Sequence, residues 1–303
     1  QLRVYDNMPK IEKHSWEAKR FGAGFSPAGE LLIGGGGGAS RTGVKNKLVL
    51  YNLQVTNWKI DKLSEIELAM DEDAPSGMAF HPEDNVVACA INSNEETIKA
   101  GENQNCRIFR YSNEKIQLVN KIQTLTSKDP NDYQKVTAFS KDGRYLATGG
   151  SDSRLTVLKY PSLDVAFPPM NYDQKEIYDV DFDTTGKQVV AISPKALRVW
   201  STQNGKCIQT IDRPISQKTT QCLFRACRFG REASEGFLYT VVNSTSRNKA
   251  FIVKWDRKTW DKVAERIVSQ KPIVAFEISD NGKLMAYASS NMSIGIVSSE
   301  NLR

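Results

Sequence analysis

Short β-prone apolar runs, separated by polar turns, recur along the whole chain, and one arrangement of them repeats. A run ending in Phe is followed by a polar turn and then by a second apolar run that ends in small residues. It reads Gly24-Phe25-Ser26-Pro27 with Glu30-Leu31-Leu32-Ile33-Gly34, and returns as Ala79-Phe80-His81-Pro82 with Asn85-Val86-Val87-Ala88-Cys89-Ala90. Further copies start at Ala138-Phe139, Asp181-Phe182 and Phe276, with a degenerate one at Phe229. The phenylalanines at 25, 80, 139, 182, 229 and 276 are separated by steps of 55, 59, 43, 47 and 47 residues. Within a unit the pattern predicts four strands, most clearly Cys222–Phe229, Phe237–Asn243, Ala250–Trp255 and Lys262–Val268. The Asp-Gly, Thr-Gly and Asn-Gly pairs after the first strands supply the positive φ of a tight hairpin.

Four short strands per period of roughly 40–50 residues predict an all-β β-propeller of divergent WD-type blades, with six visible repeats. No Gly-His pair opens a repeat, and Trp200-Ser201 and Trp255-Asp256 are the two places where Trp closes a third strand. Trp200, Trp255 and Phe182 are expected in the core between blades. His81 is expected as a turn residue whose ring bonds locally.

Composition narrows the chemistry. The 303 residues carry a net charge of +6 with Lys and Arg scattered, which reads as a solvated surface with no nucleic acid expected. No apolar run spans a membrane and no signal peptide opens the chain. His14 and His81 are the two histidines, too few for zinc or His-based catalysis. Five cysteines (Cys89, Cys106, Cys207, Cys222, Cys227) without a C-x-x-C pair predict reduced thiols. Cys222 and Cys227, five apart on a strand, are expected on opposite faces. No convergent set of carboxylates or histidines marks a hydrolase.

Five of the 20 glycines are consecutive, Gly34 to Gly38, and lead through Gly43-Val44-Lys45-Asn46-Lys47 into the strand Leu48-Val49-Leu50-Tyr51. In the repeat this is the hairpin between the second and third strands of blade one. It takes about a dozen residues where two to five suffice. Gly38-x-x-x-x-Gly43 fits half of a phosphate-binding loop, but Val44 stands where Lys is required and a strand follows instead of a helix. Gly34-x-Gly36-x-x-Ala39 fails as a dinucleotide fingerprint for the same reason. Glycine inside a buried strand signals close backbone approach, and inward carbonyls could cage a monovalent cation.

The phrase Gly35–Leu48, with its glycine run, Gly43 and Asn46-Lys47-Leu48, resembles the first-blade loop of one family. That family is the endoplasmic-reticulum guanine-nucleotide exchange factors for the Sar-type small GTPase of the COPII coat, which includes mammalian prolactin regulatory element-binding protein. The resemblance implies a seven-bladed monomeric propeller on the cytosolic face of the endoplasmic reticulum, tethered by a transmembrane helix. It implies a nucleotide exchanger that makes no covalent chemistry, with potassium held by the loop glycines Gly34, Gly35, Gly36, Gly37 and Gly38. Asn46 takes the position of the family's loop asparagine, acting in GDP release; its bland alternative is a left-handed turn residue before the third strand. Gly43, Val44, Lys45 and Lys47 would meet the GTPase, the two lysines either as solvated flanks or against acidic switch residues. Asp71 and Asp73, in the acidic stretch before Pro75, match a family segment more weakly. The competing reading is a WD-type scaffold or a paralogue without exchange activity.

Six repeats exhaust residues 1–303, read as a single domain. Either the seventh blade and the anchor lie outside this sequence, the favoured reading, or the propeller closes with six blades. Leu2-Arg3-Val4-Tyr5 copies the third-strand phrase Leu197-Arg198-Val199-Trp200. Residues 1–7 are therefore either an appended segment or a strand of the closing blade.

Overall fold

The computed structural model describes residues 19–303, save 41, 42, 55, 58, 173–175, 213 and 218. The expectations for residues 1–7 and for His14 lie outside the described residues. Six antiparallel sheets follow one another in chain order among the described residues. Blade one is β1 (Lys19–Phe25), β2 (Leu31–Gly36), β3 (Lys47–Gln54) and β4 (Lys59–Glu67). Blade two is β5 (Ser76–Phe80), β6 (Val86–Ala90), β7 (Cys106–Tyr111) and β8 (Ile116–Ile122), with the short helix α1 (Glu95–Ala100) between β6 and β7. Blade three is β9 (Gln134–Phe139), β10 (Tyr145–Gly150), β11 (Arg154–Lys159) and a two-residue β12 (Met170–Asn171). Blade four is β13 (Asp179–Phe182), β14 (Gln188–Ile192), β15 (Ala196–Ser201) and β16 (Cys207–Asp212).

Blade five opens with a short β17 (Ile215–Ser216) and continues through β18 (Thr220–Phe229), β19 (Phe237–Ser244), β20 (Ala250–Asp256) and β21 (Lys262–Ser269). The last four match the strands read from sequence to within two residues at each end. Blade six has β22 (Ile273–Ile278), β23 (Leu284–Ser289) and β24 (Ile294–Ser298). The turns after the first strands repeat one geometry. Gly143, Gly186 and Gly282 each have φ of +66° to +68°, and each donates its N–H back to Ser140, Asp183 or Ser279.

The core lies between blades, as a propeller requires, because each sheet buries its apolar face against the next. Leu32, Leu48 and Leu50 of blade one pack on Val87, Cys89 and Phe109 of blade two. Val190, Ile192 and Val199 of blade four pack on Phe224, Phe229 and Leu238 of blade five. Phe182 and Trp200 are buried in the contact of blades three and four, and Trp255 packs at the rim of its own cluster while donating to Thr240 Oγ1 at 2.9 Å. Phe25 departs from the anchor pattern: it is 61% exposed, whereas Phe229 is fully buried.

The His81 ring accepts from the backbone N–H groups of Glu83 and Asp84 at 3.2 and 2.9 Å, the local role expected. It also reaches blade three, with Nε2 3.2 Å from the Gly143 carbonyl and the ring against Phe139 and Tyr160. The parity argument for Cys222 and Cys227 fails. A register shift between Phe224 and Ala226 inserts a residue, and both thiols end in the same core cluster. All five cysteines are free.

Ladder register fixes which loops share a face. Gly36 at the end of β2 pairs with Lys19 at the start of β1, and the same holds in the later blades. Every loop between a second and a third strand therefore lies beside the linkers that enter the first strands. The glycine loop, the segment 68–75 and the linkers before β9, β13, β18 and β22 occupy one face of the ring.

Candidate functional site

The glycine run divides in two. Gly34 and Gly35 are residues of β2, paired to Gly22 and Arg20 on one side and to Leu48 and Lys47 on the other. Their missing side chains are a packing requirement. A Cβ on Gly34 would stand 2.2 Å from Met78 Cε and 2.8 Å from Pro75 Cβ, and one on Gly36 would stand 2.6 Å from the Asn46 Cα. Beyond β2 the chain leaves the sheet through Gly37 and a single turn over Gly38–Ser40. Gly37 donates to the Val44 carbonyl at 3.1 Å, which pins the base of the loop.

Asn46 organises this base. Its side chain is fully buried. Oδ1 accepts from the Gly38 N–H at 2.9 Å, and Nδ2 donates to the carbonyls of Ala69 and Glu72 at 3.0 and 2.8 Å. One amide thus ties the glycine loop to the linker that leads into blade two. Its φ is not positive, so the left-handed turn reading does not apply. Asn105 is its counterpart in blade two, also buried and also one residue before the third strand. It donates to Thr124 and Gln134 side chains at 2.7 Å and accepts from the N–H groups of Thr124 and Leu125.

The linker is held from the other side by a pair that sequence reading missed. Arg107 on β7 makes a two-pronged ion pair with Glu72, both contacts at 2.6 Å, with side chains only 8% and 20% exposed. The partners are far apart in sequence, so no local pattern announces them.

Around this base the structure distributes the remaining expected residues. Gly43 is exposed with φ +79°, and a Cβ there would meet nothing within 4 Å. Val44 is half-buried beside it. Lys45 pairs with Glu67 at 2.7 Å and Lys47 with Glu65 at 3.8 Å, so both lysines are compensated within blade one. The Lys45 hydrogen bond holds the Glu67 carboxyl below its ordinary range. Asp71 is exposed and accepts from Asn94 Nδ2 at 3.0 Å. Asp73 is half-buried, and burial pushes its pKa up against the hydrogen bonds from Ala39 and Asn92.

Two clefts flank the loop. One, of about 320 Å³, is lined by Gly38, Asp73, Asn92 and Tyr133; the other, of about 470 Å³, by Ala39, Asp71, Glu95 and Glu96. No group of three or more His, Cys, Asp or Glu that could hold a metal occurs among the described residues. Gly34, Gly35 and Gly36 belong to the β2 ladder, and Gly37 and Gly38 begin the loop beyond it. No helix among the described residues is long and apolar enough to cross a membrane.

The blades, their shared core and the loop that interrupts the first of them define a divergent WD-type β-propeller. The family model described as WD domain, G-beta repeat, matches residues 121–157, from the outer strand of blade two through the third strand of blade three. Solved propellers superpose over most of the chain. A chain of the structure described as COPII on membranes, outer coat vertex, has a TM-score of 0.74 at 12% identity, covering 94% of this chain and 75% of that one. The Cps50 (Swd1) propeller of Myceliophteria thermophila gives 0.65 at 12%, covering 92% and 83%.

In sequence the chain resembles the SEC12 guanine nucleotide-exchange factors over most of its length. It is 26% identical to guanine nucleotide-exchange factor SEC12 of Candida glabrata over 93% of this chain and 61% of the relative. The mouse protein of the same name is 24% identical over 88% and 72%, and Arabidopsis thaliana SEC12-like protein 2 is 22% identical over 81% and 59%. The chain thus spans about three-fifths of the yeast and plant relatives.

Proposed function

We propose that this chain is the propeller of a guanine-nucleotide exchange factor that releases GDP from the Sar-type small GTPase of the COPII coat, at the cytosolic face of the endoplasmic reticulum. The observation that carries the reading is the glycine loop: a long insertion in one hairpin, braced at its base by Asn46 and left exposed at Gly43 and Lys45. Similarity to the SEC12 exchange factors supports it.

The chemistry asked of such a protein is differential binding. A small GTPase holds its nucleotide through its phosphate loop, a lysine and Mg²⁺. A factor that binds the nucleotide-free form best must lower nucleotide affinity by the factor by which nucleotide lowers its own. No bond is made or broken, so the requirement is a rigid platform with one ordered projection. Blade one provides the platform. Asn46 acts as a positioning residue: its amide is spent inside the protein, and the loop it braces, through Gly43, Val44 and Lys45, meets the partner. Potassium, held by backbone carbonyls of the run Gly34–Gly38, would add rigidity to the same loop.

The test is GDP release from the Sar-type GTPase with the wild-type chain and with Asn46→Ala, in potassium and in a non-binding cation. Acceleration by the wild-type chain that drops in the variant supports the reading; no acceleration by the wild-type chain defeats it. Equal activity and loop order in both salts removes potassium from the account. The second reading, a scaffold of the same fold without exchange activity, draws on one observation: every Asn46 hydrogen bond is internal, as in Asn105.

A further inference from the structure

The face that carries the glycine loop also carries a cationic cleft on the far side of the ring. It has a volume of about 530 Å³ and is lined by Lys135 at the start of β9, Tyr178 before β13, Arg225 on β18, and Arg247 in the turn after β19. Among the described residues no carboxylate lines it. Lys135 Nζ sits 4.7 Å from the Tyr178 ring centroid, and the Arg225 guanidinium carbon sits 6.0 Å from the same centroid. One aromatic ring thus has two cationic groups beside it, a setting that favours an anion. Their internal compensation is incomplete. Lys135 pairs with Glu176 at 2.5 Å, whereas Arg225 donates to a neutral carbonyl, Val274, at 2.7 Å. The exposed Arg247 side chain has no hydrogen bond or ion pair among the described residues.

Lys135 stands between this cleft and the one beside Gly38. Lys135 Nζ also lies 5.8 Å from the ring centroid of Tyr133, which is 45% exposed and lines the cleft beside Gly38. The opposite end of the face is net acidic, since Asp71, Glu95 and Glu96 outnumber Lys99 in the cleft beyond Ala39. The face is therefore polarised, acidic beside the loop and basic across the ring.

We infer that this cleft is a second docking site for the GTPase, taking an acidic surface segment of it, while the loop acts at the nucleotide. The inference rests on the exchange reading. A cleft of this kind orients the encounter and raises the association rate, because fields of fixed charge act before contact is made. It leaves the release step itself to the loop, so its loss and the loss of Asn46 differ kinetically.

The experiment measures initial exchange rates against concentration of GDP-loaded GTPase for the wild-type chain, Arg247→Glu, and Arg225→Gln combined with Arg247→Glu. Arg247→Ala serves as a milder variant should the double change perturb folding, which circular dichroism reports. The expected result at about 50 mM salt is a KM raised roughly tenfold in the double variant with kcat within about twofold. The difference shrinks at high salt, and Asn46→Ala gives the opposite split. An unchanged KM at low salt, or a kcat loss with KM preserved, overturns the inference while leaving the exchange reading intact. Phosphatidylserine vesicles form the second arm. Vesicle binding that disappears in Arg247→Glu, with KM for the GTPase unchanged, assigns the cleft to a lipid surface and overturns the inference. No exchange by the wild-type chain overturns both.

Discussion

Asn46 and Asn105 perform one structural task in neighbouring blades, joining the start of a third strand to the linker that enters the next blade. Asn46 also bonds its own loop, through the Gly38 N–H, whereas the side-chain bonds of Asn105 run to Thr124, Leu125 and Gln134. Removing either amide leaves buried backbone groups unpaired, a loss of about 1–3 kcal/mol. Asn46→Ala and Asn105→Ala should therefore shift the urea midpoint by similar amounts, while exchange falls in Asn46→Ala alone. Equal exchange by the two variants at matched stability would contradict a special role for the first loop. Arg107→Ala extends the argument, since it strands the Glu72 carboxylate in a half-buried site. It should cost up to about 3 kcal/mol and loosen residues 69–73, read as faster amide exchange there. A swapped pair, Arg107→Glu with Glu72→Arg, should recover part of both; no recovery would mean the pair is not what holds the linker.

At this scale the sequence announces the loop and its asparagine but not their surroundings. Ala69 and Glu72, which hold Asn46 Nδ2, lie more than twenty residues further on, and Glu72 lies more than thirty residues before Arg107. Neither separation follows a strand or helix period. The burial of Asn46 was hidden for the same reason, because its neighbours belong to the next blade.

Among elements, the repeat was the most legible feature, since alternation of apolar and polar positions and the turn glycines act locally. Bulges were not. The extra residue in β18 moved Cys222 and Cys227 to one face, and nothing in the spacing marked it. Inner strands also carry a ladder of charge invisible in the pattern. Arg228 pairs with Asp179 at 2.6 Å and Glu277 at 3.0 Å, Arg231 with Asp280 at 3.1 Å, and Lys141 of blade three reaches Asp280 at 3.1 Å. Beside it, burial pushes the Asp181 carboxyl up to about 6, even with Arg228 and Arg231 near.

A carboxyl whose folded pKa exceeds its unfolded value of about 4 binds its proton more tightly in the native state. Its contribution is thus most favourable below about pH 4 and is lost as pH rises through 6, by roughly 3 kcal/mol. Asp181→Asn keeps an oxygen for the Phe229 N–H, which Asp181 accepts at 2.8 Å. The stability of the variant relative to wild type should rise between pH 4 and 6 and then level off. Urea unfolding across that range checks it, and a pH-independent difference would show that Asp181 ionises normally.

For the whole molecule, five blade-to-blade contacts bury a common core, yet the outer face of blade six does not share it. Val274, Leu284, Ile294 and Ile296 are 44%, 50%, 79% and 66% exposed. Apolar surface of that kind marks an interaction site. We propose that its occupant is a further blade of the same ring, since the face continues the series of blade-to-blade contacts. Ile294→Thr with Ile296→Thr should change the stability of this chain by no more than about 0.5 kcal/mol. In a chain carrying the additional blade the same pair should cost about 2 kcal/mol or more. Equal effects in both chains would mean that the face stays in water.

The central claim is that the braced glycine loop of blade one drives nucleotide release, and fluorescent GDP dissociation from the Sar-type GTPase tests it most directly. The account predicts strong acceleration by the wild-type chain, retained by Asn105→Ala at temperatures where that variant is folded, and largely lost in Asn46→Ala. Acceleration undiminished in Asn46→Ala, or absent from the wild-type chain, would contradict it.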